Sequence, residues 1–272
     1  MEHQTNNEKN QHPLFSIVTV CFNSGRTIRR TIESVLAQNC EDYEYIIIDG
    51  KSSDDTMSIV ESYESAFKGK LSFVSEPDKG IYDAFNKGVS RAKGDFIWIV
   101  NSDDYIESDA LEFLYNICKA NIGQNVIICG QMRFHELNGT TKIEGLPDPK
   151  IINDFAKRLL MGIPHPSSVY SRVVYEKCGL YDSRYKLSGD VDSFLAAYRS
   201  GTVFLPFDHI ITNMSDGGVS NNLNWKIRFA DFKLRYYKYC NGFLNKRFRY
   251  LFIVTRTIIV DSVKIVLKKL HK

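Results

Sequence analysis

Short, almost uninterrupted apolar runs alternate with stretches of helical periodicity along the first 130 residues. The runs are FSIVTVC (residues 15–21), YEYIIID (43–49), LSFVS (71–75), DFIWIV (95–100) and VIICG (126–130). Between them, segments 27–38, 55–65, 81–92 and 109–120 carry the spacing of amphipathic helices. Continuous Val/Ile-rich runs predict strands covered on both faces, and their alternation with helices predicts parallel crossovers. The expected fold class is therefore α/β, with a mostly parallel central sheet flanked by helices. Asp54, Asp55, Ser108 and Asp109 stand where helix N-caps are expected, and Gly94 precedes a strand. Past residue 131 the rhythm changes to a hairpin pattern, 132–136 and 141–144 around Asn138-Gly139, then proline-containing loops and short helices. The expected organisation is a polar, disordered lead-in (1–13), one catalytic domain (14–224) and a helical tail (225–272). Within the domain, 14–130 would bind a common ligand and 131–224 a variable one.

Composition narrows the class. With 43% hydrophobic residues, seven prolines and seventeen glycines in 272 residues, the chain is neither disordered nor collagenous. Six scattered cysteines without a CxxC spacing predict reduced, mostly buried thiols, and the polar N-terminal stretch lacks the pattern of a secretory signal, so a cytoplasmic location is expected.

The net charge of +3 conceals an asymmetry. Residues 225–272 hold thirteen Lys/Arg and two Asp, a net +11, which leaves −8 on the preceding 224. Nine Phe and Tyr interleave the basic tail between Phe229 and Phe252. Basic and apolar side chains on one helical segment suit an anionic membrane surface, whereas Arg256, Asp261 and Lys264 interrupt any spanning stretch. The expectation is peripheral attachment to the inner face of the cytoplasmic membrane, with a helix packed on the preceding domain and a solvated basic face as the alternative. No nucleic-acid recognition module is present in the sequence, and no nucleic-acid partner is expected.

In an open parallel sheet, ligands bind beyond the carboxyl ends of the strands. Four predicted strands end in Asn23, Asp49, Asp78-Lys79 and Asn101-Ser102-Asp103-Asp104. That edge has neither a GxGxxG turn nor a GxxxxGK[ST] loop, which argues against a dehydrogenase or ATPase. A diphosphate held beside so many carboxylates needs a bridging cation. Hard oxygen ligands suit Mg2+ or Mn2+, with Asp103 and Asp104 as the natural pair.

The segments CFNSGRTIRRTIESVLAQ, IIIDGKSSDDT, SEPDKGIYDAFNKGVSRAKGDFIWIVNSDD and LSGDVDSFLAAY together resemble the bacterial family 2 glycosyltransferases of the GT-A fold, across residues 15–222. The resemblance implies an inverting transfer of a sugar from a nucleotide-diphosphate donor, a UDP-sugar, to a hydroxyl of a polyprenyl-diphosphate-linked glycan acceptor in surface-polysaccharide synthesis. By the same resemblance Asp49 accepts from the donor base and Asn23 lines the nucleoside pocket. Asp78, Lys79, Asn86, Asn101 and Ser102 face the donor, and Asp103 with Asp104 binds the metal. His165 lies near acceptor or phosphate, and Gly217-Gly218 marks a lid. Asp190 is the general base, with Asp192 its competitor. The sequence departs from the family pattern at Asn101, where an acid is common, at Gly189, which replaces the acid before the base, and at Pro166, which replaces a glutamine. Two other readings stay open at this point: a sugar-1-phosphate nucleotidyltransferase and a non-catalytic nucleotide-sugar binding protein.

Overall fold

The computed structural model describes residues 12–145, 148–216 and 225–239. The lead-in up to residue 11, the Gly217-Gly218 loop, Cys240 and the tail beyond Tyr239 lie outside the described residues. The chain divides into two compact units, Met1–Asn224 and Trp225–Lys272.

The first unit is built on one nine-stranded sheet. Its strands are β1 (Phe15–Cys21), β2 (Tyr43–Asp49), β3 (Leu71–Ser75), β4 (Phe96–Ile99), β5 (Tyr105–Ile106), β6 (Val126–His135), β7 (Thr141–Glu144), β8 (Ser168–Ser171) and β9 (Val203–Ser215). They lie in the order β3-β2-β1-β4-β8-β6-β9-β5, with β7 paired to β6. β1 is parallel to both β2 and β4, and β2 to β3. β8 runs antiparallel between β4 and β6, and β6 is parallel to β9. Six strands thus share one direction and only β5, β7 and β8 oppose them. The α/β class and mostly parallel sheet expected from the apolar runs are what the structure has.

The helices of this unit are α1 (Ile28–Leu36), α2 (Thr56–Ser62), α3 (Ile81–Arg91), α4 (Ala110–Lys119), α5 (Pro149–Lys157), α6 (Arg172–Cys178) and α7 (Gly189–Arg199). Every residue of β1 is buried, because its two faces meet different helices. Phe15 and Ile17 join Tyr45, Ile47, Phe96 and Trp98 in a core with Ile28, Ile32, Ile59, Val60, Leu111 and Leu114 from α1, α2 and α4. Val18 and Ile48 point the other way, toward α3 at Gly88. This two-sided burial explains why the strands read as runs rather than alternations.

Strand order 3-2-1-4 means that the chain reverses its direction of winding between β1 and β4. Such a switch point opens a crevice at the carboxyl edge. The hairpin around Asn138-Gly139 forms as β6 and β7, with His135 opposite Thr141. The capping expectations fare differently: Asp55 and Asp109 occupy N-cap positions but make no side-chain cap bond, and Asp54 instead binds Thr56 and Gly25. The five cysteines among the described residues are free thiols, three of them buried. No described helix is long and apolar enough to cross a membrane. The second unit is described by its helix α8 (Trp225–Tyr239), which carries five Lys/Arg and one Asp.

The fully buried Trp98 donates its indole N–H to the Pro166 carbonyl at 2.8 Å, joining β4 to the turn before β8. Trp98→Phe removes that donor and leaves a small void. Urea denaturation of the variant should show a loss of about 1–3 kcal/mol with an unchanged m-value.

Candidate active site

Loops at the carboxyl ends of β1 to β4 are fastened to one another by their own polar groups. Asn23, held at φ 51°, donates its backbone N–H to the Ser52 hydroxyl at 2.7 Å and accepts the Ser53 N–H on its side-chain oxygen at 2.9 Å. At the switch point itself the Ser24 and Ser102 hydroxyls are 2.8 Å apart. The Asp78 carboxylate lies over Gly50, where an added Cβ would come within 2.4 Å of Oδ2, so only glycine admits this approach. Phe22, between these loops, is 62% exposed.

Asp49 is completely buried. Its carboxylate accepts from the Ser52 N–H at 2.9 Å, the Ser52 hydroxyl at 2.5 Å, the Ser75 hydroxyl at 2.6 Å and the Cys21 thiol at 3.6 Å. Those four donors use all its lone pairs, as a buried carboxylate requires. The same contact, after burial itself, drives the Cys21 thiol far above its usual pKa.

The fourth loop carries two unlike aspartates. Asp104 is 1% exposed; it accepts from Asn101 Nδ2 at 3.2 Å and the Ser215 N–H at 3.4 Å, and its carboxyl is pushed up to about 8, by burial first and the Asp103 charge second. Asp103 is half-buried, and desolvation raises its carboxyl while Arg30 draws it down. Arg30 donates to the Asp103 carbonyl and the Ser215 hydroxyl, both at 2.9 Å, and stacks on Tyr105 at 4.4 Å. Asn101 Oδ1 is buried without a hydrogen-bond partner among the described residues. Of the four polar side chains in Asn101-Ser102-Asp103-Asp104, Ser102 and Asp104 are thus bonded within the protein, whereas Asn101 Oδ1 has an open acceptor position. Among the described residues no three His, Cys, Asp or Glu side chains converge as a metal site.

Other candidate residues are placed as follows. Lys79 is exposed at the loop tip, with its N–H bound to Asp83 at 3.0 Å. Lys87 fixes that loop, donating to the Pro77 carbonyl at 2.7 Å and pairing with Glu76 at 3.2 Å. Asn86 directs both ends of its amide to the Tyr181 backbone, each at 2.8 Å, so it clamps α3 to the segment before α7. His165 is buried in an aromatic cluster, stacked on Phe85 and 3.0 Å from the Tyr181 hydroxyl; burial lowers its pKa and Asp190 partly opposes this.

Asp190 lies in the first turn of α7 and is half-buried. Its Oδ1 accepts from the Val191 N–H at 2.8 Å and the Tyr82 hydroxyl at 3.4 Å. Asp192, by contrast, is 3% exposed and accepts from the Tyr185 hydroxyl at 3.0 Å. Three residues near these groups were not singled out from sequence: Phe22, Tyr82 and Ser75. The signals were present in an aromatic directly after β1 and in the tyrosine of SEPDKGIYDAF.

A sequence profile described as "Glycosyl transferase family 2" matches residues 16–179. A PGL/p-HBAD biosynthesis glycosyltransferase of Mycobacterium bovis is 25% identical over 221 residues, which cover 78% of this chain and 80% of the relative. An uncharacterized glycosyltransferase of Mycobacterium tuberculosis is 30% identical over 188 residues, 68% of this chain and 69% of the relative. In fold, the chain resembles residues 1–349 of TarS from S. aureus in complex with UDP-GlcNAc, with a TM-score of 0.65 at 19% identity, covering 86% of this chain and 69% of TarS 1–349. It also resembles a mannosyltransferase of Pyrobaculum calidifontis in complex with GDP-Man and Mn2+, with a TM-score of 0.60 at 15% identity, covering 86% and 66% of the two chains.

The Asp104 carboxyl sets a pH dependence whose sign follows from linkage. Its folded pKa of about 8 lies above the ordinary carboxyl value, so the unfolded chain releases this proton first as pH rises. Asp104 therefore costs the fold stability between about pH 4 and 8, and nothing further above that window. In chelator-containing buffer, urea titrations of Asp104→Asn and wild type should diverge in favour of the variant as pH rises through this range. Parallel curves would show that the carboxyl stays ionised.

Proposed function

The chain belongs to glycosyl transferase family 2 and is a glycosyltransferase of GT-A-type fold, and from that premise we propose that it moves a sugar, with inversion, from a UDP-sugar to a hydroxyl of a lipid-linked glycan. The family assignment sets aside the nucleotidyltransferase reading. One observation carries the donor proposal: four strand-end loops, cross-bonded at the β1/β4 switch point, surround an exposed Phe22 and a buried Asp49. Phe22 offers its face to the base, a stack of about 1–3 kcal/mol. Asp49 takes the imide N–H of uracil when the Ser52 or Ser75 hydroxyl turns from the carboxylate to the base.

For a divalent cation the residues fit in part, and the fit decides how it is held. The partnerless Asn101 Oδ1 and the half-buried Asp103 would hold it with hard oxygens on one loop, too few to complete a shell without the donor. Held there, Mg2+ or Mn2+ would supply positive charge against the diphosphate. Asp104, already bonded on both oxygens, holds Asn101 in place. Asp190 receives the acceptor proton as the hydroxyl attacks opposite the departing diphosphate; its partial exposure favours it over the enclosed Asp192. Asp78 and Lys79, at the loop beyond β3, contact the donor; His165 and Asn86 act from behind by fixing α3 against the segment that leads to Asp190.

The basic tail supports attachment of the chain to an anionic membrane surface, where a polyprenyl-diphosphate acceptor of surface-polysaccharide synthesis would be found. The observation supporting attachment is the charge of +11 over residues 225–272, of which α8 is the described part.

Calorimetric titration with UDP and MnCl2 tests the donor site. Phe22→Ala should weaken UDP roughly tenfold or more, and chelator should weaken it in wild type but much less in Asp103→Ala. Product analysis by mass spectrometry, with a panel of nucleotide sugars and lipid-linked acceptors, tests transfer. Asp190→Asn should lower transfer by at least about 100-fold and leave UDP affinity near that of wild type; full turnover in this variant would place the base elsewhere. Sedimentation of the full chain with anionic vesicles should fall as salt rises, and equal sedimentation with neutral vesicles would remove the membrane assignment.

A further inference from the structure

The aromatic side chain of Tyr82 lies flat against Gly189, at the start of the helix that bears Asp190. A Cβ added at Gly189 would meet Cγ, Cδ1 and Cδ2 of Tyr82, each at 2.9 Å, so the ring face covers the glycine Cα and leaves no room for a side chain. From this position the Tyr82 hydroxyl reaches Asp190 Oδ1 at 3.4 Å. The ring is itself fixed: it is 6% exposed, stacks on Tyr181 at 6.0 Å with an interplanar angle of 21°, and meets the edge of Phe85 at 5.6 Å. Tyr181 is in turn held by both ends of the Asn86 amide and by His165. Tyr82 belongs to the first turn of α3, two residues beyond Gly80 and four beyond Asp78. A single helical turn thus carries the donor-side loop at its start and a tyrosine directed at the acceptor side.

We propose that Tyr82 is the positioning residue of the Asp190 carboxylate, and that Gly189 is glycine because the Tyr82 ring occupies the space of its side chain; this rests on the reading of Asp190 as the base. The hydroxyl donates to Oδ1 and, together with the Val191 N–H on the same oxygen, fixes the carboxylate rotamer. Oδ2 is then the atom turned to the acceptor hydroxyl. A substituted residue at Gly189 and the tyrosine ring are mutually exclusive, so the absence of the usual acid is an accommodation of this contact.

The full chain, labelled with carbon-13 at aspartate carboxyls, tests the contact directly at neutral pH. The Asp190 signal is identified by its loss in Asp190→Asn. Tyr82→Phe keeps the ring and should move the Asp190 signal while leaving those of Asp49 and Asp104 in place, with UDP affinity in MnCl2 within about twofold of wild type, since no donor contact is altered. Gly189→Ala should move the same signal by displacing the ring, and should add nothing further in a Tyr82→Leu background, where no aromatic ring remains to be displaced. With UDP-GlcNAc and Mn2+, the rate of UDP release should fall about tenfold in Tyr82→Phe through kcat, with KM unchanged, as expected for loss of a hydrogen bond to a charged group. An Asp190 signal unmoved in Tyr82→Phe and Gly189→Ala, both folded by their amide spectra, overturns the proposal. So does a loss of UDP affinity equal to the loss of rate. Should Asp190→Asn turn over normally while the signal still responds to Tyr82→Phe, the base assignment fails and the contact stands.

Discussion

A carboxylate with no solvent exposure has to be satisfied by the protein, and the complete burial of Asp49 is the constraint around which this site is organised. Its partners come from two neighbouring strands and a turn: Cys21 from β1, Ser75 from β3, and Ser52 from the turn that follows β2, the strand that bears Asp49 itself. Satisfying one charge therefore draws the ends of three strands into register. Ser52 then binds the Asn23 N–H and Ser53 the Asn23 side chain, so the loop after β1 is fixed by a residue already fixed by Asp49. The loop ends at this edge are tied together because they are the hydrogen-bond partners of one buried charge, directly or through Ser52.

The fourth loop obeys a different balance. Burial first, and the neighbouring Asp103 charge second, push the Asp104 carboxyl up to about 8. A cation bound beside Asp103, as proposed, would reverse that logic, because positive charge there favours ionisation where burial opposes it. Arg30, bonded to the Asp103 carbonyl and laid on Tyr105, supplies some of this field permanently. Replacement of an acid by Asn101 lowers the negative charge the loop must carry when empty, while its orphaned oxygen still offers a hard donor.

The first half of the fold was legible in the sequence because two-sided burial writes an unmistakable pattern. β1, β2 and β3 begin and end where their apolar runs do. β8 and β9 were not legible. SVYS is four residues long and half polar, and β9 contains Pro206 and lies against register shifts in β6, so neither presents a clean period. Capping was read correctly as position and wrongly as chemistry at Asp55 and Asp109, since the position needs only backbone geometry. In the site, strand-end placement brought Asn23, Asp49, Asp78 and Asn101 to Asp104 onto one edge, as motif order implies. Sequence could not show that Asn86 grips a backbone segment 95 residues away, nor that His165 is enclosed by Phe85 and Tyr181. Those facts depend on long-range packing, which leaves no local period.

Gly189 shows how a departure from a family pattern can be misread when side chains are compared one position at a time. An acid lost beside the proposed base suggests weakened chemistry, yet the space that acid would need is filled by an aromatic ring from another helix. Whether a residue is missing or displaced is a question about pairs, and here the pair is 107 positions apart, Tyr82 with Gly189. The close contact also constrains α7. Its first turn cannot shift toward α3 without pressing on the ring, which also packs on Tyr181 and Phe85. Rigidity at that turn would serve the base role proposed for Asp190, since a base has to stand within hydrogen-bond distance of the hydroxyl it deprotonates. The half beyond residue 131, irregular in sequence, thus takes a reference point from the regular half through one tyrosine.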